Sequence, residues 1–174
     1  RTADELLDIY LDAVGANASL LLNIPPDTHG RIAAPDCASL TELGTKIQQI
    51  FASNVTEKAK ITADSAIAQH PITQAVDGMA NTYWQAAYGQ ESDTITLNFP
   101  KPQKVSCVVL GEHLPTGQRI ESGEIWADGS KASEFTVVGH KRICRFTPVE
   151  VQTLTIKITA SRTEPTLRLL EVYQ

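Results

Sequence analysis

Aromatic residues are scarce in this chain of 174 residues, at 6%, and cysteine is scarcer still, with three. Cys37, Cys107 and Cys144 are odd in number and far apart, which excludes the paired spacing of a zinc or dithiol site and predicts small buried apolar side chains instead. Charge of one sign is not concentrated anywhere. The 15 Lys and Arg stand against 20 Asp and Glu, a net charge of −5, so there is no electrostatic footprint for nucleic acid or an anionic membrane surface. Apolar runs are only a few residues long, as at Leu20, Leu21 and Leu22, whereas a bilayer span needs roughly 20. Arg1 to Asp8 lack the apolar core of a signal peptide. No nucleophile elbow, Gly-rich phosphate loop or pair of His at helical spacing is found. His29, His70, His113 and His140 stand singly and read as surface or turn residues.

What is present divides by its period. Thr2 and Glu5 have the spacing of a capping box, after which Leu6, Leu7, Tyr10, Leu11 and Val14 recur at helical spacing as far as Gly15. Ser19 to Ile24 is nearly all aliphatic and ends at Pro25 and Pro26, the pattern of a strand buried on both faces in a parallel sheet. Pro35 then opens a second helix, whose stripe is Cys37, Leu40, Leu43, Ile47, Ile50 and Phe51. One such strand between two amphipathic helices leaves a strand face without a partner, so residues 1–55 read as the end of a larger α/β domain, most simply the closing segment of a barrel. An independent two-helix cap on the next domain is the alternative.

Residues 56–174 read as all-β. Strands are expected at 60–63, 94–99, 105–110, 119–126, 134–138, 142–146, 153–159 and 167–173. Turns are expected at Pro100-Lys101-Pro102, Pro115-Thr116-Gly117 and Asp128-Gly129. This spacing describes a jelly-roll β-sandwich, so the chain as a whole is mainly β, with a short α-β-α segment in front.

Chemistry is harder to find. The productive edge of a barrel lies at the carboxyl ends of its strands, here Asn23 to His29, so Asn23, Asp27 and His29 either face a pocket or serve the turn built by Pro25 and Pro26. The most specific string in the second half is Val76-Asp77-Gly78-Met79-Ala80-Asn81-Thr82-Tyr83-Trp84. Its oxygens suit a hard cation, with Glu171 as a distant ligand; alternatively Asp77 caps a turn and Trp84 fills the core.

The run Leu6-Leu7-Asp8-Ile9-Tyr10-Leu11, then Leu20-Leu21-Leu22-Asn23-Ile24-Pro25-Pro26-Asp27 and Gly30-Arg31-Ile32, resembles the end of the catalytic domain of family 29 glycoside hydrolases, the α-L-fucosidases. Residues 76–84, Gly117-Gln118-Arg119-Ile120 and Leu170-Glu171-Val172 resemble the galactose-binding, discoidin-like sandwich shared with family 32 carbohydrate-binding modules. The resemblance implies a parent enzyme that removes terminal α-L-fucose from fucosylated glycans with retention, through two carboxylates placed on barrel segments upstream of this chain; no residue here matches either. It implies no cofactor for catalysis, and a structural Ca²⁺ held by Asp77, Thr82 and Glu171. Met79 departs from the oxygen-bearing residue of that pattern, and a thioether is a poor ligand for a hard cation. Sugar contact is implied for the loop aromatics and polar groups Tyr88, His113, Arg119 and Trp126, although Arg119 also suits a bond across the sandwich or to the barrel. The implied location is periplasmic or secreted. Asn17-Ala18-Ser19 and Asn54-Val55-Thr56 have the spacing of glycosylation acceptors.

Overall fold

The computed structural model describes residues 1–174. The first helix, α1, spans Ala3–Val14 and begins with the expected capping box: Thr2 N–H donates to Glu5 Oε2 at 2.8 Å and Glu5 N–H to Thr2 Oγ1 at 3.3 Å. The bond with the Thr2 backbone holds the Glu5 carboxyl below its ordinary pKa. Helix α2 spans Ala34–Ile50, with Pro35 in its first turn, where a missing N–H costs nothing. Leu6 and Leu43 are buried, and Lys46 on α2 pairs with Asp4 on α1 at 2.8 Å.

The strand expected at 19–24 does not form. The segment has no regular secondary structure and no strand of this chain lies beside it, and a chain becomes a strand only when its backbone groups are paired with a neighbour. Its two-sided apolar pattern is nonetheless visible. Leu22 and Ile24 line a cleft with Leu6 and Leu40, whereas Leu21 on the opposite side is 94% exposed. Cys37 is a second correction: it is exposed on α2, outside the buried stripe, because the helix packs through Leu43 rather than around its first turn.

Beyond Asn54 the chain forms eight strands: β1 (Lys60–Ala63), β2 (Trp84–Gln85), β3 (Asp93–Gly111), β4 (Ile120–Ala127), β5 (Ser130–Phe135), β6 (Arg142–Ser161), β7 (Thr166–Leu167) and β8 (Leu169–Tyr173). The expected strands 94–99 and 105–110 are one strand, as are 142–146 and 153–159. Pro100-Lys101-Pro102 therefore makes no turn. The prolines remove ladder donors, and the register slips between Asn98 and Gln103, but the strand runs on through the irregularity. Asp128-Gly129 does turn the chain, both residues having positive φ (45° and 82°), as a two-residue hairpin between β4 and β5 requires.

All strand pairs are antiparallel. The first half of β3 and the second half of β6 belong to a layer ordered β1-β3-β6-β4-β5, while their other halves form a three-stranded layer with β8. Ile95, Leu97, Ile125, Leu154 and Ile156 of the first layer and Val108, Leu110, Leu170 and Val172 of the second share one core with Trp84, whose indole N–H donates to the Ser65 carbonyl at 3.0 Å.

The helical segment rests on the outside of the three-stranded layer. Cys107, Val109 and Tyr173 form a small cluster there with Ile50 and Phe51, and the Phe51 and Tyr173 rings meet edge to face at 5.2 Å. At the other end of the segment an added Cβ on Gly15 would sit 3.0 Å from Ile143 Cβ of the sandwich, and 2.3 Å from the carbonyl oxygen of Leu11 in its own helix. Asn17, at φ 69°, accepts the His140 N–H at 2.5 Å through Oδ1.

Candidate functional site

The loops at one end of the sandwich converge on Glu112, which is 1% exposed. One carboxylate oxygen accepts from the backbone N–H groups of Arg119 (2.7 Å) and Ile120 (2.9 Å), and the other from Gly139 N–H (2.6 Å). Three donors on one buried carboxylate pin the 112–120 loop to the 137–141 turn. That loop carries His113 next to Glu112, and the His113 ring stacks on Tyr83 at 3.8 Å; the opposite face of Tyr83 stacks on His70 at 3.9 Å. His113 Nδ1 is buried without a hydrogen-bond partner. Burial, followed by the neighbouring His70, Arg168 and Arg119 side chains, lowers the His113 pKa.

Arg119 completes this end. Its Nη1 donates to the Glu164 carbonyl at 2.7 Å and its Nε to the Thr116 carbonyl at 3.4 Å, so the guanidinium ties two loops of the sandwich together. Glu164 turns its carboxylate to Gly89 N–H (2.8 Å) and the Thr163 hydroxyl, which hold its pKa down to about 2. Tyr88, adjoining Gly89, is 77% exposed. The structure thus brings His113 and Arg119 together, with Tyr88 on the loop fastened by Glu164. Trp126 lies elsewhere, on the outward side of β4, with its indole N–H donating to Glu124 Oε2 at 2.8 Å and Lys157 Nζ 4.1 Å from its ring centre. Glu112, the His70–Tyr83 stack and Arg168 are missed by sequence reasoning, because their partners come from distant loops and leave no local spacing.

The candidate cation residues are partly assembled. Asp77 and Glu171 line one cleft of about 160 Å³, together with Asn54 and Glu57. Asp77 Oδ1 accepts Met79 N–H at 2.8 Å, and the Thr82 hydroxyl lies 2.9 and 2.8 Å from its two carboxylate oxygens. The Met79 side chain is 57% exposed and offers no oxygen. Glu171 Oε2 accepts the Tyr173 hydroxyl at 2.9 Å. Asp77 and Glu171 share this cleft without Thr82 in its lining, and no group of three or more acidic, His or Cys side chains of the chain is placed to hold a metal ion.

In the helical segment, Asp27 serves its turn: Oδ1 accepts the N–H groups of His29 (2.8 Å) and Arg31 (2.9 Å). His29 points outward, its side chain 73% exposed, and Asn23 lines the cleft with Leu22 and Ile24. Of the two glycosylation-type sequences, Asn17 uses its amide against the sandwich, and Asn54 accepts Thr56 N–H at 2.9 Å.

Residues 54–168 match a domain family described as "Domain of unknown function (DUF7402)". Across 99% of its length the chain is 30% identical to α-L-fucosidase 1 of Arabidopsis thaliana, covering 36% of that protein. A crystal structure of a candidate α-L-fucosidase from Bacteroides thetaiotaomicron superposes on the whole chain with a TM-score of 0.93 at 28% identity, over 40% of its own length. A family 29 fucosidase from Ruminococcus gnavus, solved in complex with fucose, does so with a TM-score of 0.90 at 27% identity, over 37% of its length. The chain therefore spans little more than a third of these relatives.

Proposed function

Because the chain belongs to the DUF7402 family and corresponds, over its whole length, to the C-terminal portion of family 29 glycoside hydrolases, we propose that it is part of an α-L-fucosidase. In this reading the parent hydrolyses terminal α-L-fucosyl linkages with retention, using two carboxylates on barrel segments outside these residues. The sandwich supports that barrel. The observation that carries the reading is the seating of the helical segment on the three-stranded layer, through Phe51 on Tyr173 and Asn17 on His140, within a fold that matches fucosidases end to end. Such a seat fixes the last barrel elements against a rigid body. A periplasmic or secreted location follows from where fucosylated glycans occur; no helix of the chain is long and apolar enough to cross a membrane.

The test is hydrolysis of a chromogenic α-L-fucoside by the parent enzyme and by this chain alone. The parent is expected to turn over and the chain to be silent, and Phe51→Ala in the parent is expected to lower its inactivation temperature while leaving its KM unchanged. Turnover by the 174 residues would overturn the reading.

A second reading is that the sandwich also binds glycan at the loop end, favoured by the unpartnered His113 Nδ1 and the exposed Tyr88. Fucose-dependent shifts at His113, Arg119 and Tyr88 in nuclear magnetic resonance spectra would support it. Ca²⁺ belongs to the same proposal: held between Asp77 and Glu171, it would tie the 76–84 loop to β8 as a structural ion. Calcium is expected to raise the melting temperature of the wild-type chain and not that of Asp77→Ala.

A further inference from the structure

The three-ring stack beside Glu112 has a chemistry that neither support of a barrel nor fucoside hydrolysis uses. Its members come from three separate loops: His70 from the turn that begins at Ile67, Tyr83 from the loop before β2, and His113 from the loop after β3. All three are half-buried. Their planes are close to parallel, at 21° between His70 and Tyr83 and 8° between Tyr83 and His113.

The hydrogen-bond network assigns the proton on each imidazole. Gln74 donates through Nε2 to the Gln69 carbonyl at 3.3 Å, which leaves its Oε1 as the acceptor 3.2 Å from His70 Nδ1. Neutral His70 therefore carries its hydrogen on Nδ1, and an added proton goes to Nε2. His113 is the reverse. Its Nδ1 is buried with no partner, so the neutral ring keeps its hydrogen on Nε2, and an added proton makes Nδ1 a charged donor with nothing to bond.

The charges that bear on these rings are of one sign. Arg119 of the 112–120 loop and Arg168 between β7 and β8 act on His113, and His70 acts on it across Tyr83. The acids at this end are engaged elsewhere. Glu112 holds the N–H groups of Arg119, Ile120 and Gly139, and Glu164 holds Gly89 N–H and the Thr163 hydroxyl. Asp77, on the Tyr83 loop, holds Met79 N–H and the Thr82 hydroxyl. The turn Ile72–Ala75 that supplies Gln74 has no charged side chain, and no carboxylate forms an ion pair with either ring.

One charge and two charges therefore act in opposite directions. An imidazolium at His70 alone lies flat on the face of Tyr83, a cation–π contact that holds the stack. A second at His113 faces the first across the same ring, beside two guanidiniums, with its N–H stranded. We infer that the His70–Tyr83–His113 stack is an acid-sensitive latch, which keeps the three loops together while His113 is neutral and releases them when both imidazoles are charged. Glu112 still pins Arg119, Ile120 and Gly139 after release, so the opening is confined to residues 113–118 and the Tyr83 loop, over an intact core. The sign follows from linkage: a histidine whose pKa is lowered by its closed surroundings favours closure fully above its ordinary value of 6.5, and that contribution is lost as pH falls below it. The latch needs no ligand and does not depend on the activity of the parent.

The test is hydrogen exchange of the 174-residue chain, corrected for the intrinsic pH dependence of exchange, with the imidazole resonances titrated in parallel. Thr116 N–H and Gly117 N–H, bonded to the His113 and Leu114 carbonyls, report the loop, and Ile156 in the core reports the fold. Protection at Thr116 and Gly117 is expected to fall about tenfold or more from about pH 7 to about pH 5 while that of Ile156 holds. His113→Phe keeps a stacked ring that takes no charge, and it is expected to reduce the fall to about twofold or less. His70→Phe removes the opposing charge and is expected to move the opening to lower pH. The inference is overturned by unchanged loop protection in the wild type, by a fall of equal size in both Phe variants, or by loss of Ile156 protection in step with the loop. Titration of His113 above pH 6.5 overturns it as well.

Discussion

Of the 40 buried residues, only Ala3, Leu6, Gly15 and Leu43 precede Asn54, although that part of the chain carries two well-formed helices. The sandwich holds the rest, including a continuous core of 23 residues. The helices owe their definition to local devices: a capping box, a proline in a first turn and an ion pair between them. Such devices shape a helix, but each contributes only about 1 kcal/mol or less. The sandwich is held by burial, which scales with area. Local rules alone can therefore define secondary structure that has almost no interior of its own, and the helical segment depends on the body it rests on.

Separating the two regions should have the largest effect. Residues 54–174 are expected to melt cooperatively by themselves, whereas residues 1–53 in isolation should lose roughly half or more of their helicity, since short helices without tertiary contacts are marginal in water; circular dichroism melts of the two pieces decide it. Next, core truncation should discriminate sharply. Ile156→Ala is expected to cost about 2–5 kcal/mol and Leu21→Ala less than about 0.5 kcal/mol, as read from urea denaturation. Comparable costs at both positions would mean that the helical segment is better buried than its exposures indicate.

Smaller again is Glu112→Gln, which replaces a carboxylate receiving three N–H groups by an amide with one acceptor oxygen. A loss of about 1–3 kcal/mol is expected, with faster hydrogen exchange at Arg119, Ile120 and Gly139. The smallest effect concerns Asp93, 7% exposed and accepting from the Ser65 hydroxyl at 2.5 Å. Burial raises its pKa. A raised carboxyl favours the folded state in its protonated form, so its contribution is complete below the ordinary carboxylate pKa and is lost as pH rises through the raised value. Asp93→Asn should thus stabilise the sandwich slightly near pH 7 and lose that advantage as pH falls toward about 4; urea melts at both pH values measure it.

Much of the fold was legible where the cause was local. Thr2 and Glu5 marked α1, Pro35 marked α2, and Asp128-Gly129 marked a hairpin, because each acts through its own backbone. The failures share a different cause. Ser19 to Ile24 reads as a strand but needs neighbours that its own sequence does not encode, and Pro100 to Pro102 reads as a turn because the pull of β6 on β3 through the irregularity is a long-range fact. The candidate site divides the same way. Asp77 and Thr82 meet within one loop, as their spacing suggested, whereas the stacking of His113 on Tyr83 and the removal of Trp126 to a separate face follow from strand order.

The sharing of β3 and β6 between both layers also constrains how the sandwich can come into being. Asn98 and Thr153 bond at 3.0 Å across a separation of 55 positions, and β6 lies between β3 and the β4–β5 hairpin. A growing chain that has not reached Arg142 holds β1, β3 and that hairpin without the strand that joins them. The five-stranded layer cannot close before β6 is in place, and the three-stranded layer waits further for β8, so folding must await a late, non-local insertion of β6, which is intrinsically slow. Until Ser161 has been made, the edges of β3 and β4 remain open to any other strand in reach.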